Sequence, residues 1–277
     1  MVSHWIENDI IINGVQIHYT RTGGKKKPPL VLLHGFSDSG MCWLPVARDL
    51  EAEWDIILPD ARGHGKSQRV QPGEKIDSAA DIAGLIQELK LNRPVVGGHS
   101  MGGNTAGLVG SRYPDLVRGL ILEDPGWRAA PPPRMQAKEG EETPPPPNPW
   151  FEWLLRAKDT PIDKVMEKCR ADSPTWAEIE LRPWAESKIN LDTNVFQAES
   201  VWVPWEEVAR SIVCPTLLLT GDVDKGSIVS EEDAQHASQL SPAIRVAHIP
   251  GVGHNLRREN YPVFMRLVGD LLNNLHG

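Results

Sequence analysis

Three cysteines in 277 residues, Cys42, Cys169 and Cys214, are too few and too widely spaced for a disulfide framework or a metal-ligand pattern. A reducing cytosol is the expected setting for such a chain. No run approaches the roughly 18 apolar residues that a membrane-spanning helix needs. The opening Met1-Val2-Ser3-His4-Trp5-Ile6-Glu7 has no basic or apolar signal region, so no secretory signal is expected. Positive charge is also in short supply, with 29 Lys and Arg against 37 Asp and Glu and a formal net charge of −8. A nucleic acid or anionic membrane selects a basic face, so neither is an expected partner. No Gly-x-Gly-x-x-Gly follows the early strands in a dinucleotide-binding context, and no ligand cluster suggests a metal. No cofactor and no metal are therefore expected. Internal repeats are absent as well.

What is present is a regular alternation of strand and helix patterns. Ile10-Ile11-Ile12, the hairpin dipeptide Asn13-Gly14 and the alternating Val15 to Tyr19 read as two paired strands. Leu30 to Leu33 is a continuous apolar run, as a strand buried on both faces of a parallel sheet requires. Met41 to Glu51 reads as a helix and Trp54 to Pro59 as a strand. Ser78 to Leu89 is an amphipathic helix with Ile82, Leu85, Ile86 and Leu89 on one face. Pro94 to Gly97 and Leu120 to Leu122 are further buried strands. The pattern resumes at Pro215 to Thr220, with a helix over Glu231 to Leu240, a strand over Ile244 to Ile249 and a last helix over Asn260 to Leu275. Such alternation argues for a parallel sheet with helices on both faces.

Between these halves the composition changes. Residues 131–149 carry Pro131-Pro132-Pro133 and Pro144 to Pro147, a loop that cannot bury a core. Seven of the ten tryptophans fall between Trp127 and Trp205. We read 127–207 as an insertion into a sheet domain made of 1–126 and 208–277.

The chemistry is concentrated at Gly98-His99-Ser100-Met101-Gly102. This is a G-x-S-x-G pattern set between a strand and a helix, where a sharp turn exposes the serine. Side chains at Gly98 or Gly102 would press on the neighbouring strand and helix. With His34-Gly35-Phe36, Asp60-x-Arg62-Gly63-x-Gly65-x-Ser67, Gly221-x-x-Asp224 and Gly253-His254, all in order, the chain resembles the α/β-hydrolase superfamily in its capped esterase and lactonase branch.

That resemblance implies an α/β-hydrolase fold, a mostly parallel eight-stranded sheet flanked by helices, with a helical cap inserted after strand 6. It implies Ser100 as nucleophile, His254 as general base and Asp224 as the acid that orients it. Some members carry the acid after the preceding strand, which keeps Asp124, and beside it Glu123, as alternatives. Asp222 is read as capping its loop. The backbone amides of Phe36 and Met101 take the oxyanion-hole positions. His34 is expected to support its loop, and the Asp60 to Ser67 loop to brace the sheet. Serine at the elbow argues against haloalkane dehalogenases and epoxide hydrolases, which use aspartate there.

The insertion is expected to shape the substrate pocket as a lid, with Trp127, Trp150 and Trp153 as candidate wall residues. The expected reaction is hydrolysis of a carboxylic ester or lactone of a fairly apolar small molecule. A carbon–carbon bond or amide hydrolase with the same triad is one alternative, and a ligand-binding, receptor-like member of the fold is another.

Overall fold

Asn13 and Gly14 both take positive φ, 51° and 82°, the backbone of a tight turn whose twist matches a hairpin. They fold β1 (Ile6–Ile12) onto β2 (Val15–Arg21) in antiparallel register, with Ile12 opposite Val15. The structure is a computed structural model that describes residues 5–24, 26–127 and 149–276. Most of the proline-rich loop expected at 131–149 lies outside the described residues.

After this hairpin the chain turns parallel. The strands are β3 (Pro29–Leu33), β4 (Asp55–Pro59), β5 (Val95–His99), β6 (Gly119–Glu123), β7 (Thr216–Thr220) and β8 (Ile244–His248). Together with the hairpin they make one eight-stranded sheet in the order β1-β2-β4-β3-β5-β6-β7-β8. The expected sheet is thus observed. Every residue of β3 to β7 is buried, which is why these segments read as continuous apolar runs.

The two faces of the sheet divide the core. Val31 and Leu33 of β3 enter one cluster with α2 (Ser78–Glu88), α3 (Met101–Arg112), α7 (Trp205–Ser211) and α8 (Glu231–Leu240). Leu30 and Leu32 point the other way, toward α1 (Leu44–Leu50), α9 (Leu256–Glu259) and α10 (Tyr261–Leu275). The helix expected over Met41 to Glu51 is a 3-10 turn at Gly40–Trp43 followed by α1. Pro45 explains the break, because a proline fits the first turn of an α-helix and not its interior.

The stretch 127–207 supplies α4 (Pro149–Ala157), α5 (Ile162–Asp172) and α6 (Glu178–Ile189) among the described residues. Its return path docks on the loop after β4. A two-residue parallel pairing joins Lys75–Ile76 to Glu199–Ser200, and Asp192 accepts from Val70 N–H at 2.8 Å. The two ends of the stretch pack into the core beneath the sheet. Trp127 and Trp205 stack at 5.4 Å between ring centroids, inside the cluster that contains α3.

The elbow glycines are steric necessities. A Cβ on Gly98 would lie 2.2 Å from the carbonyl oxygen of Gly102, and one on Gly102 would lie 2.3 Å from that of Leu33. Both obstacles are backbone and cannot rotate away. We therefore expect Gly98→Ala or Gly102→Ala to destabilise the fold by at least ~1–3 kcal/mol, the usual cost of overpacking. Thermal denaturation should show a Tm lower by several degrees; an unchanged Tm would contradict the steric reading.

Candidate active site

Four loops meet at the carboxyl ends of the adjacent strands β3, β5 and β6 and beside the turn after β8. That is where open α/β sheets hold their ligands. The residue after β5 is Ser100, with φ 54° and ψ −113°, a positive-φ conformation that a non-glycine residue adopts at a cost of about 1–3 kcal/mol. The surrounding structure fixes it. Ser100 N–H donates to Glu123 O at 3.0 Å, and Ser100 O accepts from Asn104 N–H and Gly126 N–H. Two further non-glycine residues with positive φ lie here, Ser37 at 64° and Asp124 at 38°.

The carboxylate that contacts His254 is not the one expected. His254 Nδ1 lies 2.5 Å from Asp124 Oδ2. Asp224, expected in this role, is exposed in the 3-10 turn Val223–Lys225. Asp124 is fully buried, and its two oxygens also accept from Ser227 Oγ and the N–H groups of Ile228 and Val229 at 2.8 to 3.1 Å. The turn containing Asp224 therefore contributes the three residues behind it, Ser227 to Val229, as donors that hold the acid on the neighbouring strand.

Glu123 cannot serve, because successive strand residues face opposite ways. Its carboxylate is paired with Arg257 Nη1 at 2.8 Å. Asp222 caps its loop as expected, binding His248 Nε2 at 3.0 Å and accepting from Gly251 N–H at 2.8 Å.

With Nδ1 turned to the Asp124 carboxylate, Nε2 is the ring nitrogen of His254 left for another partner. No described residue hydrogen-bonds that nitrogen. His99, the residue before the serine, supports the base from behind. Its ring packs 4.6 Å from that of His254, and its Nε2 is 2.8 Å from the His254 carbonyl. Burial first, and then the neighbouring His254, push the His99 imidazole well below the usual range. A neutral His99 with its proton on Nε2 donates to that carbonyl.

A Cβ on Gly35 would sit 3.5 Å from Ser100 Cβ, so the loop after β3 lies directly against the elbow. The hydrogen bonds of the described residues leave the amides of Phe36 and Met101 without acceptors. This is the state required of donors waiting for a developing oxyanion. His34 braces the loop as expected: Nδ1 contacts Gly35 O at 2.8 Å and Nε2 accepts from Ala61 N–H at 3.0 Å. Asp60 accepts from Gly40 N–H and Lys66 N–H, tying the next loop to it.

The tryptophans divide. Trp127 is a core residue, 3% exposed and stacked on Trp205. Trp153 stacks on Trp184 at 5.5 Å and packs α4 on α6. Each therefore has an indole as its stacking partner. Trp150 does approach the site, with its ring centroid 6.2 Å from that of Phe36. Phe151 and Phe196 join it at 6.4 and 5.6 Å from Phe36. Sequence reasoning missed these two, although they are half of the chain's four phenylalanines.

A family model described as "alpha/beta hydrolase fold" matches residues 28–260. The chain is an alpha/beta hydrolase. Among its relatives is 2-(acetamidomethylene)succinate hydrolase of Mesorhizobium japonicum, 25% identical over 97% of this chain and 96% of that protein. A crystal structure of E-2-(acetamidomethylene)succinate hydrolase shares the fold at a TM-score of 0.71 and 20% identity, covering 98% of this chain and all of that one. Lipase 1 of Psychrobacter immobilis is 26% identical over 90% of this chain and 78% of its own length. Epoxide hydrolase 4 of Mus musculus is 33% identical, over only 40% of this chain and 32% of that protein.

The first prediction separates the two aspartates. Asp124→Asn should slow labelling of Ser100 by a fluorophosphonate ~10³–10⁴-fold, the effect expected when the base loses its orienting carboxylate. Asp224→Asn should leave the rate within about twofold; the reverse ranking would restore Asp224. The second concerns pH. Burial pulls the His34 and His64 imidazoles down to about 4 and about 3. Below the ordinary imidazole range the unfolded chain then binds protons that the native state refuses. Stability should be full above about pH 6.5 and fall as the pH drops toward 4, by up to ~1.4 kcal/mol per pH unit per histidine. Urea melts from pH 7 to 4.5 would read this, and a flat profile would refute it.

Proposed function

We propose that this alpha/beta hydrolase is a serine hydrolase that cleaves a carboxylic ester or lactone of a fairly apolar small molecule. The observation that carries the reading is the Asp124–His254 contact beside a strained Ser100 with two unclaimed amides next to it. His254 Nε2 takes the Ser100 proton as the hydroxyl attacks the carbonyl. The amides of Phe36 and Met101 receive the oxyanion, and His254 returns the proton to the leaving group. Water activated by the same histidine then releases the acid from the acyl-enzyme.

The rings of Trp150, Phe151 and Phe196 gather around that of Phe36, and in this reading they favour an apolar acyl or alcohol group. The helix α4, which carries two of them, acts in this reading as part of a lid. The likeness to a lipase, over 90% of this chain and 78% of that protein, supports ester substrates.

A second reading, amide hydrolysis, is favoured by the full-length likeness to an enzyme named for a compound that bears an acetamide group. The same triad performs both reactions, since the difference lies in protonating a more basic leaving group.

The test is hydrolysis of p-nitrophenyl esters of increasing acyl length beside matching p-nitroanilides. Wild type should turn over the esters, with Ser100→Ala lower by about 10⁴-fold or more. Anilide turnover at rates comparable to the esters would move the amide reading ahead. An inert wild type toward both would refute the hydrolase assignment for acyl substrates.

A further inference from the structure

Beneath the oxyanion loop lies a buried group of charges that the reaction itself does not use. Asp38, two residues after Phe36, is 4% exposed and receives Lys188 Nζ at 2.6 Å on one oxygen and Arg258 Nη2 at 3.0 Å on the other. Lys188 is 2% exposed and comes from α6 in the inserted stretch. Arg258 lies four residues past His254 and also pairs with Glu180 of α6 at 3.2 Å. One carboxylate thereby joins the insertion, the oxyanion loop and the turn after the candidate base. Burial works against its ionisation, yet the charges of Arg258, Lys188 and Arg257 hold the Asp38 carboxyl well below the usual range.

The second bond of Lys188 gives it a more specific task. Its ammonium donates to the Ser37 carbonyl oxygen at 3.0 Å. Ser37 is the residue held at φ 64°, immediately after the Phe36 amide. A serine leaves that conformation unless its surroundings over-determine it. The loop's own turn, Asp38 N–H to Gly35 O at 3.1 Å, is a single bond. The ammonium of Lys188 pins both the Ser37 carbonyl and the Asp38 carboxylate on the far side of that turn. Its face over Trp184, 4.9 Å from the ring centroid, and the Ser187 hydroxyl at 3.4 Å complete its surroundings.

We propose that Lys188 is a positioning residue for the oxyanion hole: through Ser37 O and Asp38 it sets the direction of the Phe36 N–H, and so makes acyl transfer depend on the seating of α6. This rests on the serine-hydrolase reading above. The interaction is worth more to the tetrahedral state than to bound substrate, because the Phe36 amide meets full negative charge only in the former.

The test compares Lys188→Met and Asp38→Asn with wild type by p-nitrophenyl ester kinetics, by inhibition with an alkyl boronic acid and by fluorophosphonate labelling of Ser100. Met keeps most of the volume of the lysine stem without its donors, and Asn keeps the shape of Asp38 without its charge. Both variants should show kcat reduced about 10- to 100-fold, less than deletion of an oxyanion donor outright, with KM within about threefold. Boronate inhibition, which needs the oxyanion hole, should weaken by the same factor as kcat. A cluster that only cements the insertion would lower Tm and leave kcat and the boronate constant alone, and that result in either folded variant overturns the proposal. So would a rise in KM at unchanged kcat. If Lys188→Met fails to fold, Asp38→Asn decides by the same readouts. Labelling separates the two levels: an unlabelled wild type overturns the serine-hydrolase reading and this role with it. A labelled wild type with equal rates in the variants overturns the role of Lys188 alone.

Discussion

A carboxylate removed entirely from water must find enough donors to replace its hydration, and Asp124 is such a group. It sits at the end of β6 with no solvent exposure, taking bonds from Ser227, Ile228, Val229 and His254. Those bonds fix more than the acid. They anchor the turn after β7 to the neighbouring strand, and they hold the His254 ring through its Nδ1. Remove the carboxylate and a strand end, a turn and an imidazole lose their common partner. The candidate site is organised around this one buried carboxylate, with the strained elbow beside it.

The helices of the stretch 127–207 meet the rest of the fold through buried charge as well as through rings. Lys188, Arg257 and Arg258 against Asp38, Glu123 and Glu180 form a buried set with equal numbers of each sign. Each guanidinium also lies over an indole, Arg257 on Trp43 and Arg258 on Trp176. A buried ion network of this kind is a poor source of net stability, because desolvation offsets the attraction. Its geometric demands are strict, however, since a misplaced member leaves a charge unpaired. Such a network specifies how the insertion seats on the loop that carries Phe36, which an apolar seam would do loosely.

Much of the architecture was legible in the chain. The five buried strands announced themselves as apolar runs, and Asn13-Gly14 announced the hairpin. Helix α8 was read with its observed bounds, Glu231–Leu240. Other features were hidden for identifiable reasons. Helix α6 contains Pro183, which argues against a helix interior, yet burial of Leu181, Pro183 and Ala185 holds it there. Trp127 sits at the edge of a tryptophan-rich insertion and was read as pocket lining, but its stacking partner Trp205 lies 78 positions away. Phe151 and Phe196 gave no local signal, because what unites them is proximity to Phe36.

Local sequence determined every group whose function depends on its immediate neighbours. The elbow serine is one, since Gly98 and Gly102 are set by sterics within a few residues. The choice between Asp124 and Asp224 was of a different kind. Both carboxylates follow a strand, both precede His254, and their spacing along the chain fits either assignment. Only the parallel register of β6 beside β7 puts the end of one strand within reach of the imidazole and turns the loop of the other into its hydrogen-bond support. A hydrogen bond acts over about 3 Å, and the sequence does not say which of two distant residues the fold brings that close.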